Sequence, residues 1–212
     1  MADRSAHWEA IYRRKAEEEL GWYEEEATLS MDLIAAYATP GDPVIDVGGG
    51  QSRLVDGLLS GGFGPVTVLD LSETALQASQ DRLGERADAV EWIKADITRW
   101  LPEKGRHWQI WHDRAVFHFL TDPPDRTAYV RAMRAALAKG GRIIMATFAE
   151  DGPERCAGLD VQRWSSEGLA AELHRIAPKQ FDLLETRRHI HRTPSGEEQR
   201  YRVSVYRRGV ID

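Results

Sequence analysis

An apolar run that meets an acid and then three glycines, Val44-Ile45-Asp46-Val47-Gly48-Gly49-Gly50-Gln51-Ser52, constrains this chain more than any other stretch. A buried parallel strand that ends in a tight turn beneath a ligand has this form. Glycine reaches backbone angles that a β-carbon forbids, and it lets a ligand lie against bare backbone. Leu54, Val55, Leu58 and Leu59 follow at helical spacing. The turn therefore opens a helix whose free N–H groups face the ligand. A second apolar run, Val66-Thr67-Val68-Leu69, ends in Asp70, where a carboxylate can accept hydrogen bonds from both hydroxyls of a ribose. Strand, glycine turn, helix, strand and acid describe one half of a nucleoside-binding α/β sheet.

The dinucleotide fingerprint G-x-G-x-x-G closes its helix onto the strand with a third glycine. Here Arg53 stands in that place, and Asp46 stands two residues before the first glycine. An acid there repels a pyrophosphate but suits a ligand with an ammonium group. S-adenosylmethionine carries an amino-acid moiety and a sulfonium and no phosphate. The pattern D-x-G-x-G-x-S over 46–52 resembles motif I of the class I S-adenosylmethionine-dependent methyltransferases.

At 212 residues, a single domain over 1–212 is expected, with an N-terminal helix and aromatic flap at 1–27 and a core at 28–212. A net charge of −6 opposes a nucleic-acid backbone, so no nucleic-acid partner is expected. No run approaches the ~18 apolar residues of a spanning helix, and the N-terminus has no signal-peptide core, so no membrane partner is expected. The lone Cys156 fits a reducing cytoplasm. No His or Cys pair has metal-ligand spacing, and no metal is expected.

Along the chain, 6–20 reads as a helix with Trp8, Ile11 and Tyr12 on one stripe and Glu17, Glu18 and Glu19 solvated. Gly21 breaks it before Trp22 and Tyr23, which are either core packing or a lid, since an aromatic face attracts a sulfonium. The acids Glu24, Glu25 and Glu26 form a solvated surface or steer a basic substrate. A helix covers 28–38. Ser72 caps a helix that Gly84 ends. Strand three, 90–94, stops at Ala95-Asp96-Ile97. Asp96 is thus the third acid at a strand end, after Asp46 and Asp70, where the loops of a doubly wound sheet line the ligand crevice. Strand four is 108–112. Pro123-Pro124 starts a long helix, which Lys139-Gly140-Gly141 terminates before strand five at 142–148. A loop of about sixteen residues, 149–164, follows and frames the acceptor pocket with the flap. Arg155, Arg163 and Trp164 in it either select the substrate or pin the loop. Ser165 or Ser166 caps a last helix, and strands at 181–190 and 200–207 form a hairpin over Thr193-Pro-Ser-Gly.

The block from Val44 to Phe148 resembles the class I methyltransferases through all their usual landmarks: D-x-G-x-G at 46–50, Asp70-Leu71-Ser72, Ala95-Asp96-Ile97, Val116-Phe-His-Phe-Leu, and Leu-Ala-Lys-Gly-Gly-Arg-Ile before strand five. His7-Trp8 to Trp22-Tyr23 is similar to small bacterial members of the type-12 grouping, and more loosely to protein-lysine methyltransferases with an aromatic flap. The resemblance implies a Rossmann-like, doubly wound, seven-stranded sheet, mostly parallel with one antiparallel strand near the C-terminal end and helices on both faces. It also implies S-adenosylmethionine as cofactor, with S-adenosylhomocysteine as product. Asp46, Gly48, Gly49 and Gly50 would hold the methionine part, Asp70, Leu71 and Ser72 the ribose and one side of the adenine, and Ala95, Asp96 and Ile97 the other side. Asp113 and Arg114 would pass the reactive methyl, with Arg114 on a carboxylate of the cofactor or substrate or in a plain salt bridge. His112, Asp113 and His118 are the candidates for catalysis, and Trp22, Tyr23 and Trp164 for substrate or lid. The expected acceptor is a nitrogen, oxygen or sulfur of a small molecule, with a protein lysine as the alternative and a monomer or homodimer as the assembly. An NAD(P)-dependent oxidoreductase and a non-catalytic binding protein are the remaining rivals.

Overall fold

The computed structural model describes residues 4–210. Strands β1 (Val44–Val47), β2 (Val66–Asp70), β3 (Val90–Lys94), β4 (Trp108–Arg114) and β5 (Leu137–Phe148) lie parallel, and the order across the sheet is β3-β2-β1-β4-β5-β9-β8. The last pair is β8 (Phe181–Arg192) and β9 (Glu198–Arg208). Because β9 runs antiparallel to both β5 and β8, it is the one reversed strand among the seven. This is the expected doubly wound sheet.

The central strands are apolar at nearly every position because helices cover both faces, and alternation sorts their side chains to two cores. Val44, Val68, Ile110, Ile144 and Ala146 pack with Leu33 and Ile34 of α2 (Thr28–Tyr37), Leu54 and Leu58 of α3 (Leu54–Ser60) and Leu76 of α4 (Glu73–Leu83). Ile45, Val47, Trp111, Ile143 and Met145 pack with Tyr129 and Met133 of α5 (Pro123–Ala136) and Leu169 and Leu173 of α6 (Ser166–Ile176). Ser72 and Ser165 cap α4 and α6 by accepting from Ala75 N and Gly168 N. Gly84 closes α4 at φ 57°.

Several elements differ from the sequence reading. The first helix, α1 (Arg4–Arg14), stops well before residue 20. Ala16 is extended and its N–H donates to Glu19, and residues 17–19 form a short 3-10 turn. Glu17 is not solvated: it pairs with Arg53 at 2.8 Å and Arg82 at 3.2 Å, and so pulls the chain onto the glycine turn. The long helix α5 ends at Ala136, not at the glycines, because Leu137 already pairs with Trp108 in the sheet. The 149–164 segment contains a small hairpin of β6 (Arg155–Cys156) and β7 (Leu159–Asp160). No helix among the described residues is long and apolar enough to cross a membrane.

Tyr129 ties α5 to β4. Its hydroxyl accepts from Trp111 Nε1 at 2.8 Å and donates to Asp113, all within a fully buried cluster. Tyr129→Phe strands Trp111 Nε1 and removes one of the hydrogen bonds that Asp113 accepts, so it is expected to lower stability by about 1–3 kcal/mol, read as a fall in the urea midpoint with the slope unchanged.

Candidate functional site

Gly48 leaves β1 at φ 71°, and a β-carbon there would lie 2.0 Å from Val116 Cγ2. Only glycine lets the turn pass under Val116. Two residues on, Gly50 has φ 47°, and its missing β-carbon would meet the Tyr12 hydroxyl at 2.8 Å and Asp70 Oδ2 at 3.1 Å. Arg53, where a dinucleotide fold has its third glycine, precedes α3, pairs with Glu17 and stacks over Tyr23 at 5.5 Å.

The carboxyl ends of the strands enclose a cavity of about 100 Å³. Its floor is Val47 and Gly48 at the end of β1, Asp70 and Leu71 at the end of β2, Ala95, Asp96 and Ile97 after β3, and Ala115 and Val116 after β4. Its roof comes from the N-terminal segment, as Arg4, Trp8, Tyr12 and Trp22, with Phe119 and Cys156 beside them. Trp8 packs edge-on against Trp22 at 5.7 Å and Phe119 at 5.1 Å. The Tyr12 hydroxyl accepts from Trp22. The surface is mostly apolar, with Asp70 the one buried carboxylate in the lining.

Burial pushes Asp70 up to about 7, helped by the charge of nearby Asp46 and opposed by the backbone N–H of Ser72, which donates to Asp70 Oδ1 at 2.8 Å. Ser72 itself is fully buried as a helix cap and does not line the cavity. Asp96 spends Oδ1 on the N–H and hydroxyl of Thr98, at 2.9 and 2.7 Å.

The three candidates for catalysis do not reach this space. His112 and Asp113 are consecutive on β4, so they point to opposite faces of the sheet. His112 is held between Asp46 Oδ1 at 2.7 Å and Ser30 Oγ at 2.9 Å, on the α2 face. Asp113 points to α5, and burial raises it to about 6. Its oxygens accept from the N–H groups of Val116 and Phe117, which holds Ala115 at φ 71°, an uncommon angle for a residue with a side chain. His118 lies buried in a 3-10 turn, accepts the N–H of Phe148 at Nδ1, and is pushed down to about 3 by burial.

Arg114 does reach the cavity, but its guanidinium donates to Trp22 O at 2.8 Å and Glu24 Oε1 at 2.9 Å. His191 donates to Gly21 O at 3.0 Å and lies 3.5 Å from Glu24. Together they hold the strap that carries Trp22. Tyr23 faces a separate shallow cavity with Glu17 and Arg53. Trp164 is buried against Phe117 and Arg126 and lines none of the cavity, so it is part of the core on the α5 side. Arg155 and Arg163 pin their loop through Asp160 and Glu154. Gly49 and Gly50 form the turn and Asp46 lies beneath it, all three outside the lining of this cavity. The sequence reading missed Trp8, Tyr12, Phe119 and Val116 as lining residues. The Trp8–Tyr12 stripe, one helical turn apart and followed by Trp22, was the available signal. Among the described residues no group of three His, Cys, Asp or Glu side chains converges as a metal site.

An acid raised from the ordinary value of about 4 to about 7 favours the folded state while protonated. That contribution is full at low pH and is lost as pH rises towards 7. Asp70→Asn escapes the loss. Its melting temperature relative to the unaltered protein is expected to rise from pH 4 to pH 7 and to hold constant above, measured by calorimetry across that range.

Comparison with known proteins agrees with this architecture. Residues 44–141 match the family model described as a methyltransferase domain. The eEF1A lysine and N-terminal methyltransferase of Danio rerio is 27% identical over 82% of this chain, and the match spans 25% of that protein's length. The structure resembles the Burkholderia thailandensis 1,6-didemethyltoxoflavin-N1-methyltransferase solved with S-adenosylhomocysteine (TM-score 0.68, 24% identity, 94% of this chain and 81% of that one). It also resembles the N-methyltransferase NodS of Bradyrhizobium japonicum, solved with S-adenosylhomocysteine (TM-score 0.73, 13% identity, 97% of this chain and 99% of that one). Together with the glycine turn, the acids at successive strand ends and the single reversed strand, these matches support a class I S-adenosylmethionine-dependent methyltransferase.

Proposed function

We propose that the cavity and the adjoining glycine turn hold S-adenosylmethionine, and that the chain catalyses methyl transfer to a nucleophilic nitrogen, oxygen or sulfur of a small molecule. The observation that carries this reading is the juxtaposition of an acid and bare glycine backbone on the floor with an aromatic roof.

The residues present suit the group. Ionised Asp70 accepts from ribose hydroxyls. Gly48 presents bare backbone to the lining, and the turn through 48 and 50 packs so closely on Val116, Tyr12 and Asp70 that no β-carbon fits there. Asp46 has a buried oxygen, Oδ2, with no hydrogen-bond partner, which suits an ammonium. Leu71 and Ile97 offer apolar faces to a base, and Asp96 offers its second oxygen to an amino group. The rings of Trp8, Trp22 and Phe119 exclude water and attract a cation. When bound, the cofactor supplies an electrophilic methyl group on a sulfur that leaves neutral.

Among the described residues the lining contains no histidine. His112 and His118 have their ring nitrogens on protein groups or sealed in the core, so neither is positioned to take a proton from an acceptor. What the chain contributes is alignment and exclusion of water, and alignment alone is worth as much as ~7–11 kcal/mol. The latch of Arg114 on Glu24 and Trp22 O keeps the roof over the reacting groups.

The narrow, aromatic-roofed cavity favours a small acceptor. So does the likeness to the 1,6-didemethyltoxoflavin-N1-methyltransferase, solved with 1,6-didemethyltoxoflavin bound. The second reading, a protein lysine as acceptor, is supported by the likeness to the eEF1A lysine methyltransferases. The lone Cys156 is buried, and burial pushes its thiol up to about 11, which agrees with a structural role in a reducing compartment.

At about 100 times Kd, S-adenosylhomocysteine is expected to stabilise the fold by about 2.7 kcal/mol, or roughly 5–10 °C, whereas NAD and NADP shift nothing. A dinucleotide shift without an S-adenosylhomocysteine shift would overturn the cofactor. Because ribose hydroxyls donate to the ionised acid, affinity for S-adenosylhomocysteine should fall as pH drops below about 7, and this dependence should vanish in Asp70→Asn. Methyl-labelled cofactor incubated with separate metabolite and protein fractions of the native cells distinguishes the acceptors. Label in the metabolite fraction is expected, and label confined to protein decides for lysine.

A further inference from the structure

Asp46, His112 and Ser30 form a buried hydrogen-bonded chain that the alignment mechanism leaves unused. Asp46 and His112 are register partners on neighbouring parallel strands, β1 and β4, so their side chains share a face of the sheet. Ser30 comes to them from the first turn of α2. The distances are 2.7 Å from His112 Nδ1 to Asp46 Oδ1 and 2.9 Å from His112 Nε2 to Ser30 Oγ. An ionised carboxylate only accepts, so Nδ1 carries the proton and Nε2 accepts from the serine hydroxyl. Both ring nitrogens are then used. The order of groups is that of a hydrolytic triad, but the space beside Ser30 is about 10 Å³, too small to seat a substrate.

The second oxygen of Asp46 is what this chain is arranged around. Oδ2 is buried without a hydrogen-bond partner and lies under the middle of the glycine turn, where a β-carbon on Gly49 would stand 2.6 Å away. A buried carboxylate oxygen left unmatched is costly unless something else meets it. Its carboxylate is fixed from one side only, by His112.

We infer that His112 is a positioning residue: braced by Ser30, it orients Asp46 so that the free oxygen meets the ammonium group of the cofactor's amino-acid end. The inference rests on the S-adenosylmethionine reading above and adds to it a residue pair that selects the amino-acid half of the ligand.

Two ligands separate this role from a general structural one. S-adenosylhomocysteine has the amino-acid end, and 5′-methylthioadenosine keeps the adenosine and sulfur but lacks it. Calorimetric titration of His112→Leu should show affinity for S-adenosylhomocysteine reduced ~10–100-fold, the range for a lost charge-assisted hydrogen bond, with 5′-methylthioadenosine bound as by the unaltered protein. His112→Asn keeps a donor towards Asp46 and should restore most of the difference. Ser30→Ala loosens the ring and should give a smaller loss of the same selectivity. In an Asp46→Asn background, His112→Leu should add no further selective loss. Equal losses on both ligands, or no loss on either, would overturn the positioning role. If His112→Leu does not fold, Ser30→Ala and His112→Asn decide alone: an unchanged ratio of the two affinities in Ser30→Ala overturns it. An unaltered protein that binds neither ligand would overturn the cofactor assignment instead.

Discussion

The contact between Gly48 and Val116 is the constraint on which the site depends. β1 turns at positive φ with its bare α-carbon under Val116, and no methyl group fits between them. This close approach joins the end of β1 to the segment after β4. The turn after β4 has its own cost, Ala115 at φ 71°, and the Asp113 carboxylate offsets it by accepting from the two N–H groups that follow. Asp113 is in turn satisfied by Tyr129 from α5. A line of packed and hydrogen-bonded groups thus runs from the core under α5 to the floor of the cavity at the carboxyl ends of the strands.

The roof is held by charge. Glu17 bridges Arg53 and Arg82, and Arg82 also donates to Gln51 O and Ser52 O within the glycine turn. Arg114 and His191 hold the strap from Gly21 to Glu24. Each of these pairs is partly buried, so it is screened less than a surface ion pair. The N-terminal segment therefore belongs to the site as much as the strand ends do. Its aromatic rings complete the cavity, and its Glu17 and Glu24 pair with the arginines around it.

Two consecutive residues on β4 illustrate how alternation divides labour. His112 turns to α2 and reaches Asp46, and Asp113 turns to α5 and reaches Tyr129. Each supports the cavity from behind, and neither lines it. Two consecutive titratable residues at the carboxyl end of a strand go one to each face. That rule, with the neighbouring pattern Ile110, Trp111, Ile143 and Ile144, was already legible in the sequence and would have separated the two.

The order of residues by itself determined the strands, the glycine turn and the acids at the ends of β1, β2 and β3, while the seven-stranded sheet was implied by the family resemblance. These rest on local rules: apolar runs of strand length, glycine where a β-carbon is excluded, and serine caps ahead of helical spacing. The helix ends at Arg14 and Ala136 were not legible, because an ion pair at Glu17 and a strand pairing at Leu137 overrode local preference. Tertiary structure alone decided that Arg114 serves the strap, that Trp164 fills the core and that Tyr12 sits over Gly50. The same holds for the chain from Asp46 through His112 to Ser30, which joins residues 82 apart at its serine link. Such roles depend on which distant group arrives first at a buried polar atom, and spacing along the chain carries no record of that.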